Sequence, residues 1–375
     1  MENKIVKLGI IGLGNMGSGH ARNIIEGKTP EIALVAAADI DAGKRENAKT
    51  YLPESVKIFD TAEEMLDSGL IDAAIVAIPH YDHPKYVIAC LEKGIHVMCE
   101  KPAGVYTKQV REMNAVAAKH PETVFAMMFN QRTNHIYRKV RELVQSGKYG
   151  QIRRTNWLIT TWYRSQKYYD SGAWRASWSG EGGGVLLNQC PHQLDLWQWI
   201  CGMPVKVSSQ LHYGKWHDIE VEDDVTTYVE YANGATGVFI TSTGDVCGTN
   251  RFEIQLESAK IVAEEDKIWV WEYEMSTPEF EKVNTEAWGS PKVTEIKVET
   301  DGENPQHVGV LNAFAAHILR GEPLVARGEE GINGLTISNA MHLSSWLGRP
   351  VELPIDEDLY YDLLQEKIAS SKRKA

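Results

Sequence analysis

At 375 residues the chain is too long for one small core, and its 43% hydrophobic and 24% charged residues are those of an ordinary soluble protein, so two domains are expected. A formal net charge of -12 disfavours nucleic acid or an anionic membrane surface as the main partner, and no run of about eighteen apolar residues points to a membrane span. The five cysteines, Cys90, Cys99, Cys190, Cys201 and Cys247, are scattered without CxxC spacing, the pattern of reduced thiols in a cytoplasmic protein rather than of a disulfide framework.

The first third alternates strands and helices. A strand over 5–11 follows directly on the first residues, which leaves no room for a signal peptide. Next comes Gly12-Leu13-Gly14-Asn15-Met16-Gly17, then a helix expected over 18–26 and ended by Gly27. Glycines at GxGxxG spacing allow a tight turn, close approach to a pyrophosphate and close helix-strand packing. The following helix N-terminus offers N–H groups to phosphates. Gly12, Gly14, Asn15, Met16 and Gly17 are therefore the candidate cofactor loop. A second apolar strand over 32–38 ends at Asp39, about twenty residues past the loop, where an acid can bind the adenine ribose hydroxyls and repel a 2′-phosphate. NAD is favoured over NADP.

A strand over 56–59 and a capping box at Thr61-Ala62-Glu63-Glu64 lead to a strand over 72–78 that ends at Pro79. A helix over 82–93 stopped by Gly94, a strand over 95–99, a helix over 107–119 and a strand over 123–129 complete the alternation. Six strands in this order describe a doubly wound, parallel α/β (Rossmann) domain over residues 1–130. The fifth strand runs into Glu100-Lys101-Pro102. Proline holds Lys101 in extended backbone space and makes a cis peptide feasible. The lysine is thus aimed from the carboxyl end of a strand, where ligands bind in open parallel sheets. A plain Glu-Lys salt bridge at a turn is the bland alternative.

From 131 to 355 the pattern changes. After a helix over 134–146, strands are expected over 152–161, 205–213, 224–231, 235–243, 251–257 and 268–272. Asn233-Gly234 is a type I′ hairpin signal. This describes an α+β domain with a large, mainly antiparallel open sheet. The loop over 162–180 is packed with Tyr163, Arg164, Tyr168, Tyr169, Trp174, Arg175 and Trp178. Aromatic faces suit the C–H faces of sugars, so Tyr163, Arg164 and Trp174 are substrate candidates and Arg175 a substrate or cofactor candidate. Trp157, Trp197 and Trp199 are assigned to filling the domain interface, with Trp197 and Trp199 on an apolar helix as core. Gly182-Gly183-Gly184 precedes Asn188, His192 and Asp195, whose i, i+4, i+7 spacing puts them on one face if the stretch is helical. Helices are expected over 305–320, 334–346 and 356–375, the last fraying into a basic tail. No metal is expected; Cys190 and His192 are separated by Pro191 and lack further ligands.

Gly12-x-Gly14-x-x-Gly17, Ile78-Pro79 with His83 beyond it, Cys99-Glu100-Lys101-Pro102, Phe129-Asn130-Gln131-Arg132, Trp174-Arg175, Gly182-Gly183-Gly184 and His192-Gln193-Leu194-Asp195 resemble the motifs of the glucose-fructose oxidoreductase/inositol dehydrogenase/rhizopine-catabolism (Gfo/Idh/MocA) family. The resemblance runs across both domains in the family's order. It implies an NAD(P)-dependent oxidoreductase that holds its cofactor tightly and acts on sugars, cyclitols or their derivatives. It also implies a homodimer or homotetramer assembled through the second domain's sheet. By the same resemblance His192 is the acid/base, and Lys101 hydrogen-bonds the reacting oxygen, steadies negative charge or relays the proton. Glu100 orients Lys101 or the cofactor, while Ile78, Pro79 and His83 line the nicotinamide-ribose side. Asn130, Arg132, Asn188, His192 and Asp195 join the substrate candidates.

The chain departs from the inositol branch at one position. That branch carries an aspartate four residues before the histidine; here the residue is Asn188. An amide cannot accept a proton and places no charge beside His192, so Asn188 reads as a substrate positioner. The expected substrate moves accordingly from free inositol to a pyranoside-type sugar or glycoside, oxidised at a secondary hydroxyl such as C3. The alternatives are an NAD-retaining enzyme that cleaves glycosides by transient oxidation and elimination, an inositol dehydrogenase, and a non-enzymatic sugar sensor. Intact Lys101 and His192 speak against the sensor.

Overall fold

The computed structural model describes residues 4–172 and 174–372; the outermost parts of the expected N-terminal lead (1–3) and basic tail (373–375) lie outside the described residues. The chain runs through β1 (Val6–Ile11), α1 (Asn15–Ile25), β2 (Ile32–Ala38), α2 (Ala42–Ala48), β3 (Lys57–Phe59), α3 (Ala62–Leu66) and β4 (Ala73–Val76). It continues with α4 (His83–Glu92), β5 (His96–Cys99), α5 (Thr107–Ala117), β6 (Phe125–Met127), α6 (His135–Gln145), β7 (Ile152–Ile159), α7 (Gln166–Tyr169) and α8 (Pro191–Cys201). There follow β8 (Lys206–Tyr213), β9 (Glu222–Glu230), β10 (Thr236–Ser242), β11 (Asn250–Leu256), β12 (Ala259–Glu264), β13 (Lys267–Tyr273), α9 (Thr277–Val283) and β14 (Val293–Val298). The last elements are α10 (Gln306–Arg320), α11 (Gly331–Leu347), β15 (Val351–Glu352) and α12 (Glu357–Ala369).

Two compact units result, one of residues up to Thr133 with Asn304–Leu335, the other of Asn134–Glu303 with the residues from Thr336 onward. In the first, six strands lie in the order β3-β2-β1-β4-β5-β6, and every neighbouring pair is parallel. This is the doubly wound arrangement expected, with β4 buried along its whole length as a strand covered on both faces must be. The strand order reverses between β1 and β4, and the carboxyl ends of β1, β4 and β5 come side by side there. α1 begins at Asn15, three residues before the expected start, because extended Gly14 already serves as its N-cap. α2 was not foreseen; Asp41 caps it by accepting from the N–H groups of Gly43 and Lys44 at 2.8 and 3.2 Å.

The domain division departs from the expected 1–130, 131–355 and 356–375. Asn304–Leu335 folds with the first unit, because α10 sends Val310, Leu311, Phe314 and Ala315 into the core that holds Leu8, Ile10, Ile75 and Met98. Burial of a large apolar side chain is worth roughly 1.5–3 kcal/mol, so this face commits the helix.

The second unit carries nine strands in the order β14-β13-β12-β11-β7-β10-β9-β8-β15. All neighbours are antiparallel except β7 and β10, which are parallel. The type I′ turn lies elsewhere than expected. At Asn233-Gly234 only Gly234 has positive φ, and Tyr231 N–H reaches across to Ala235 O at 2.8 Å. Asn233 instead spends its side chain on Ala235 N–H and Ile152 O, both at 3.0 Å. The two-residue turn with both φ positive, as type I′ requires, is Glu265-Asp266 between paired Glu264 and Lys267.

Much of the high tryptophan content is structural. Trp157 stacks on Phe252 with ring centroids 4.2 Å apart, and Trp197 stacks on Phe239 at 5.3 Å. Their indole N–H groups donate to Asn250 Oδ1 and Thr155 Oγ1, as buried indoles require. Trp178, from the aromatic loop, packs among Tyr213, His342 and Trp346. Arg141 covers the half-buried Trp199 ring at 4.3 Å. Among the described residues no helix is long and apolar enough to cross a membrane.

Candidate active site

In the first unit the candidate residues gather at the carboxyl edge of the parallel sheet. Gly12 follows β1 with φ +97°; a Cβ there would strike the Ala77 carbonyl oxygen and come within 2.8 Å of the Ile78 side chain. A Cβ on Gly17 would strike the Gly12 carbonyl oxygen. Around Gly14 there is nothing within 4 Å of a built Cβ. The loop backbone is therefore bare on that side, with Asn15 and Met16 exposed in the first turn of α1 and no side chain capping the helix. A bare turn feeding an uncapped helix N-terminus fits a pyrophosphate. Asp39 ends β2, and its carboxylate accepts from the N–H groups of Leu13 at 2.7 Å and Asp41 at 2.9 Å, tying the second strand to the glycine loop. Lys44 Nζ lies 3.8 Å away.

Lys101 is half-buried just beyond β5, on a cis peptide to Pro102. Glu100 is buried, and one carboxylate oxygen meets His20 Nε2 at 2.7 Å while the other accepts from Lys101 N–H at 3.2 Å. Burial alone would raise this carboxyl, but the His20 hydrogen bond and charge, with Lys101 and His307 beyond, hold it down at about 2. A carboxyl depressed on folding stabilises above its ordinary pKa and loses that contribution as pH falls through about 2. Glu100→Gln is expected to lower stability by on the order of 2 kcal/mol at neutral pH and to flatten the acid limb of melting temperature against pH. Parallel curves for wild type and variant would remove the pair from this account.

Ile78 is half-buried and Pro79 exposed, and the Ile78 side chain borders Gly12. Other expected residues are placed differently. His83 is 1% exposed, and its ring nitrogens face Pro102 O at 2.7 Å and Ile78 O at 2.8 Å. It braces the Ile78 turn against the Lys101-Pro102 turn from inside, with both ring nitrogens on backbone carbonyls. Buried Glu100 has its two carboxylate oxygens on His20 and on the Lys101 N–H. Arg132 is 3% exposed, donates to Glu330 Oε2 at 2.6 Å and lies over Phe129. Asn130 is buried with its amide nitrogen on Gln306. Both are structural contacts to the 304–335 stretch, not substrate ligands.

In the second unit the glycine turn is held from β9. Gly184 has no room for a Cβ because the Glu222 carbonyl oxygen occupies that place. The buried Glu222 carboxylate accepts from the N–H groups of Gly184 at 2.8 Å and Leu186 at 2.9 Å, and meets His342 Nε2 at 3.0 Å. α8 starts only at Pro191, so Asn188 lies in the turn ahead of it, its N–H on Gly184 O; only His192 and Asp195 are on the helix. Throughout 180–198, Asn188 and His192 are the two half-buried residues and all others are buried. Asp195 is among the buried ones, accepting from Gln198 at 3.1 Å, so its expected substrate contact is not available.

Asn188 sits in a polar network. Its Oδ1 accepts from Gln189 Nε2 at 3.1 Å and Tyr168 OH at 3.4 Å, and its Nδ2 donates to Glu181 Oε1. Arg175 NH1 donates to Tyr168 OH at 2.7 Å and its guanidinium lies 4.6 Å from the Tyr168 and Trp174 ring centres. Arg164 also lies over the Tyr168 ring, at 5.1 Å, next to exposed Tyr163. The aromatic loop and the glycine turn thus meet around one amide. Glu181 was missed by the sequence reading, as was His20. His20 could have been flagged as a polar residue on the buried 17, 20, 21, 24 face of α1; Glu181 carried no such signal.

The profile of an oxidoreductase family with an NAD-binding Rossmann fold matches residues 6–128, and that of the GFO/IDH/MocA C-terminal domain matches 137–262. The chain is 24% identical to a myo-inositol 2-dehydrogenase of Thermotoga maritima over 93% of this chain and 98% of that protein. It is 26% identical to the rhizopine catabolism protein MocA of Rhizobium meliloti over 52% of this chain, spanning 57% of that protein. Among solved structures, the WlbA dehydrogenase of Bordetella pertussis in complex with NADH and UDP-GlcNAcA matches with TM-score 0.79 at 22% identity, covering 94% of this chain and 99% of that one. A levoglucosan dehydrogenase in complex with NADH and levoglucosan matches with TM-score 0.78 at 19% identity, covering 94% and 100%. At these identities the structural likeness shows the fold.

Proposed function

Because the chain belongs to the GFO/IDH/MocA family of NAD-binding oxidoreductases, we propose that it oxidises a secondary ring hydroxyl, at C3, of a sugar, glycoside or sugar derivative. The observation that carries this reading is the exposure of Asn188 and His192 alone in an otherwise buried stretch. NAD, when bound, supplies the hydride acceptor. Gly12, Gly14, Asn15, Met16 and Gly17 hold its pyrophosphate on bare backbone, Asp39 takes the ribose hydroxyls, and Ile78 and Pro79 line the nicotinamide side.

The proton falls to the protein. His192 takes it from the substrate hydroxyl, since imidazole titrates near neutrality. Lys101 hydrogen-bonds the same oxygen and steadies its negative charge, with Glu100 and His20 fixing its backbone. Asn188 accepts a hydrogen bond from a neighbouring hydroxyl, while Tyr163, Arg164, Trp174 and Arg175 receive the sugar ring. A cyclitol is the second reading, supported by the likeness to myo-inositol 2-dehydrogenase over 93% of the chain; the amide at 188 favours the sugar. A cytoplasmic homodimer or homotetramer completes the proposal.

A panel of sugars, glycosides and cyclitols with NAD, read by NADH absorbance together with product release, tests it. NADH formed in step with a keto-sugar is expected. Aglycone release without NADH would replace it by the elimination reading, and no turnover on any member would overturn it. Asp39→Ala is expected to weaken NAD binding roughly tenfold, the loss of one charge-assisted hydrogen bond, and to narrow the preference over NADP. Calorimetric titration with both nucleotides checks this, and an unchanged preference would remove Asp39 from the ribose site.

A further inference from the structure

We propose that Glu181 is a positioning residue whose carboxylate holds the Asn188 amide by its nitrogen, so that the amide oxygen is the end presented to a substrate hydroxyl. This rests on the reading above that Asn188 meets the substrate. The two ends of an amide are chemically opposite, oxygen accepting and nitrogen donating, and an ionised carboxylate only accepts. Glu181 Oε1 is therefore matched by Asn188 Nδ2 alone. Gln189 Nε2 and Tyr168 OH approach the other end, both as donors, which agrees with the same orientation.

The surroundings of Glu181 are built to keep it there. It is 2% exposed, so it reaches the substrate only through Asn188. Its second oxygen accepts from Ala176 N–H at 2.7 Å. Ala176 has φ +60°, a left-handed conformation uncommon for alanine, and that conformation aims its N–H at the carboxylate. The turn closes behind it through Glu181 N–H and Gly182 N–H, both on Ser177 O.

The orientation is sensitive to protons. Burial pushes the Glu181 carboxyl up to about 7, against the Ala176 and Asn188 hydrogen bonds and the charge of Arg175, with Glu222 adding to the rise. Around this network also stand Tyr168, whose hydroxyl meets Asn188 Oδ1, His342, paired to Glu222, and Tyr169, itself raised by burial. Once protonated, Glu181 can donate, the match to Nδ2 is no longer enforced and the amide can reverse. The substrate hydroxyl then faces an NH2 group. In wild type KM is expected to rise as pH falls through about 7, and this limb in KM is the one that depends on Glu181; any limb that His192 puts on kcat is expected to persist in Glu181→Gln.

Kinetics of the full-length enzyme with NAD and the substrate found in the panel test this. Glu181→Gln is expected to raise KM roughly tenfold above neutral pH, to abolish the limb near 7, and to leave NAD affinity unaltered. Asn188→Asp sets two carboxyls together and is expected to lose binding; adding Glu181→Gln exchanges acid for amide and should recover most of it. A KM–pH profile of Glu181→Gln overlying wild type, or additive losses in the double variant, would overturn the role of Glu181 while leaving the dehydrogenase reading intact. Wild type inactive on every sugar and cyclitol would overturn that reading instead, and with it this role. An infrared carboxyl band appearing below about pH 7, absent from Glu181→Gln and shifted by Asn188→Ala, is expected without any substrate; a band unmoved by Asn188→Ala would contradict the contact.

Discussion

Replacing His192 by alanine, or Lys101 by alanine, is expected to cut turnover by about 10²–10⁴-fold, the range for removal of a positioned acid/base, while NAD binds as in wild type. The separation follows from where the residues sit. His192 is on α8 of the second unit, far in sequence from the glycine loop, and Lys101 leaves β5 with its backbone N–H on Glu100. No side chain caps α1, and the glycine loop and Asp39 carry the nucleotide in this reading, so cofactor affinity measured by fluorescence titration is expected to stay within about threefold, under 1 kcal/mol. Equal losses of turnover and NAD binding would show that the residues hold the cofactor rather than the proton. Retained turnover in both variants would remove them from the chemistry.

Glu222→Ala is expected to cost about 3–5 kcal/mol, as removal of one partner of a buried pair does. One carboxylate serves Gly184 N–H, Leu186 N–H and His342 at once, and all three lie where water cannot replace it. The same clamp sets the turn that carries Asn188 and leads into α8, so activity should fall even where the protein is still folded. Urea denaturation gives the first quantity and kcat/KM the second. A variant within about 1 kcal/mol of wild type would mean that the glycine turn is held by its backbone bonds to Gly184 and Val185 alone.

Local chemistry was legible in the sequence. Gly12, Gly14 and Gly17, the apolar strands ending at Asp39, Pro79 and Lys101, and the glycines before Asn188 declare themselves by spacing and by period. What depends on distant partners was not legible. Arg132 was a substrate candidate through its place in the family motif; its partner Glu330 lies 198 residues further along the chain, where no local pattern points to it. Asp195 shares a helix with His192, yet it points into the interior. The type I′ turn fell to Glu265-Asp266 because strand register, not residue preference, decided where both φ values had to be positive. Glu181 is the sharpest case. An acid before three glycines says nothing until Ala176 and Asn188 are seen on its two oxygens.

The central claim is that a hydride leaves a ring carbon of a sugar for NAD. A pyranoside deuterated at C3, incubated with the enzyme and NAD, tests it most directly by mass spectrometry of the nucleotide. Deuterium recovered in NADH, in proportion to the keto-sugar formed and with slowed turnover, is the expected result. Deuterium returned to the sugar ring while the aglycone departs, or no label in the nucleotide despite product, would contradict it.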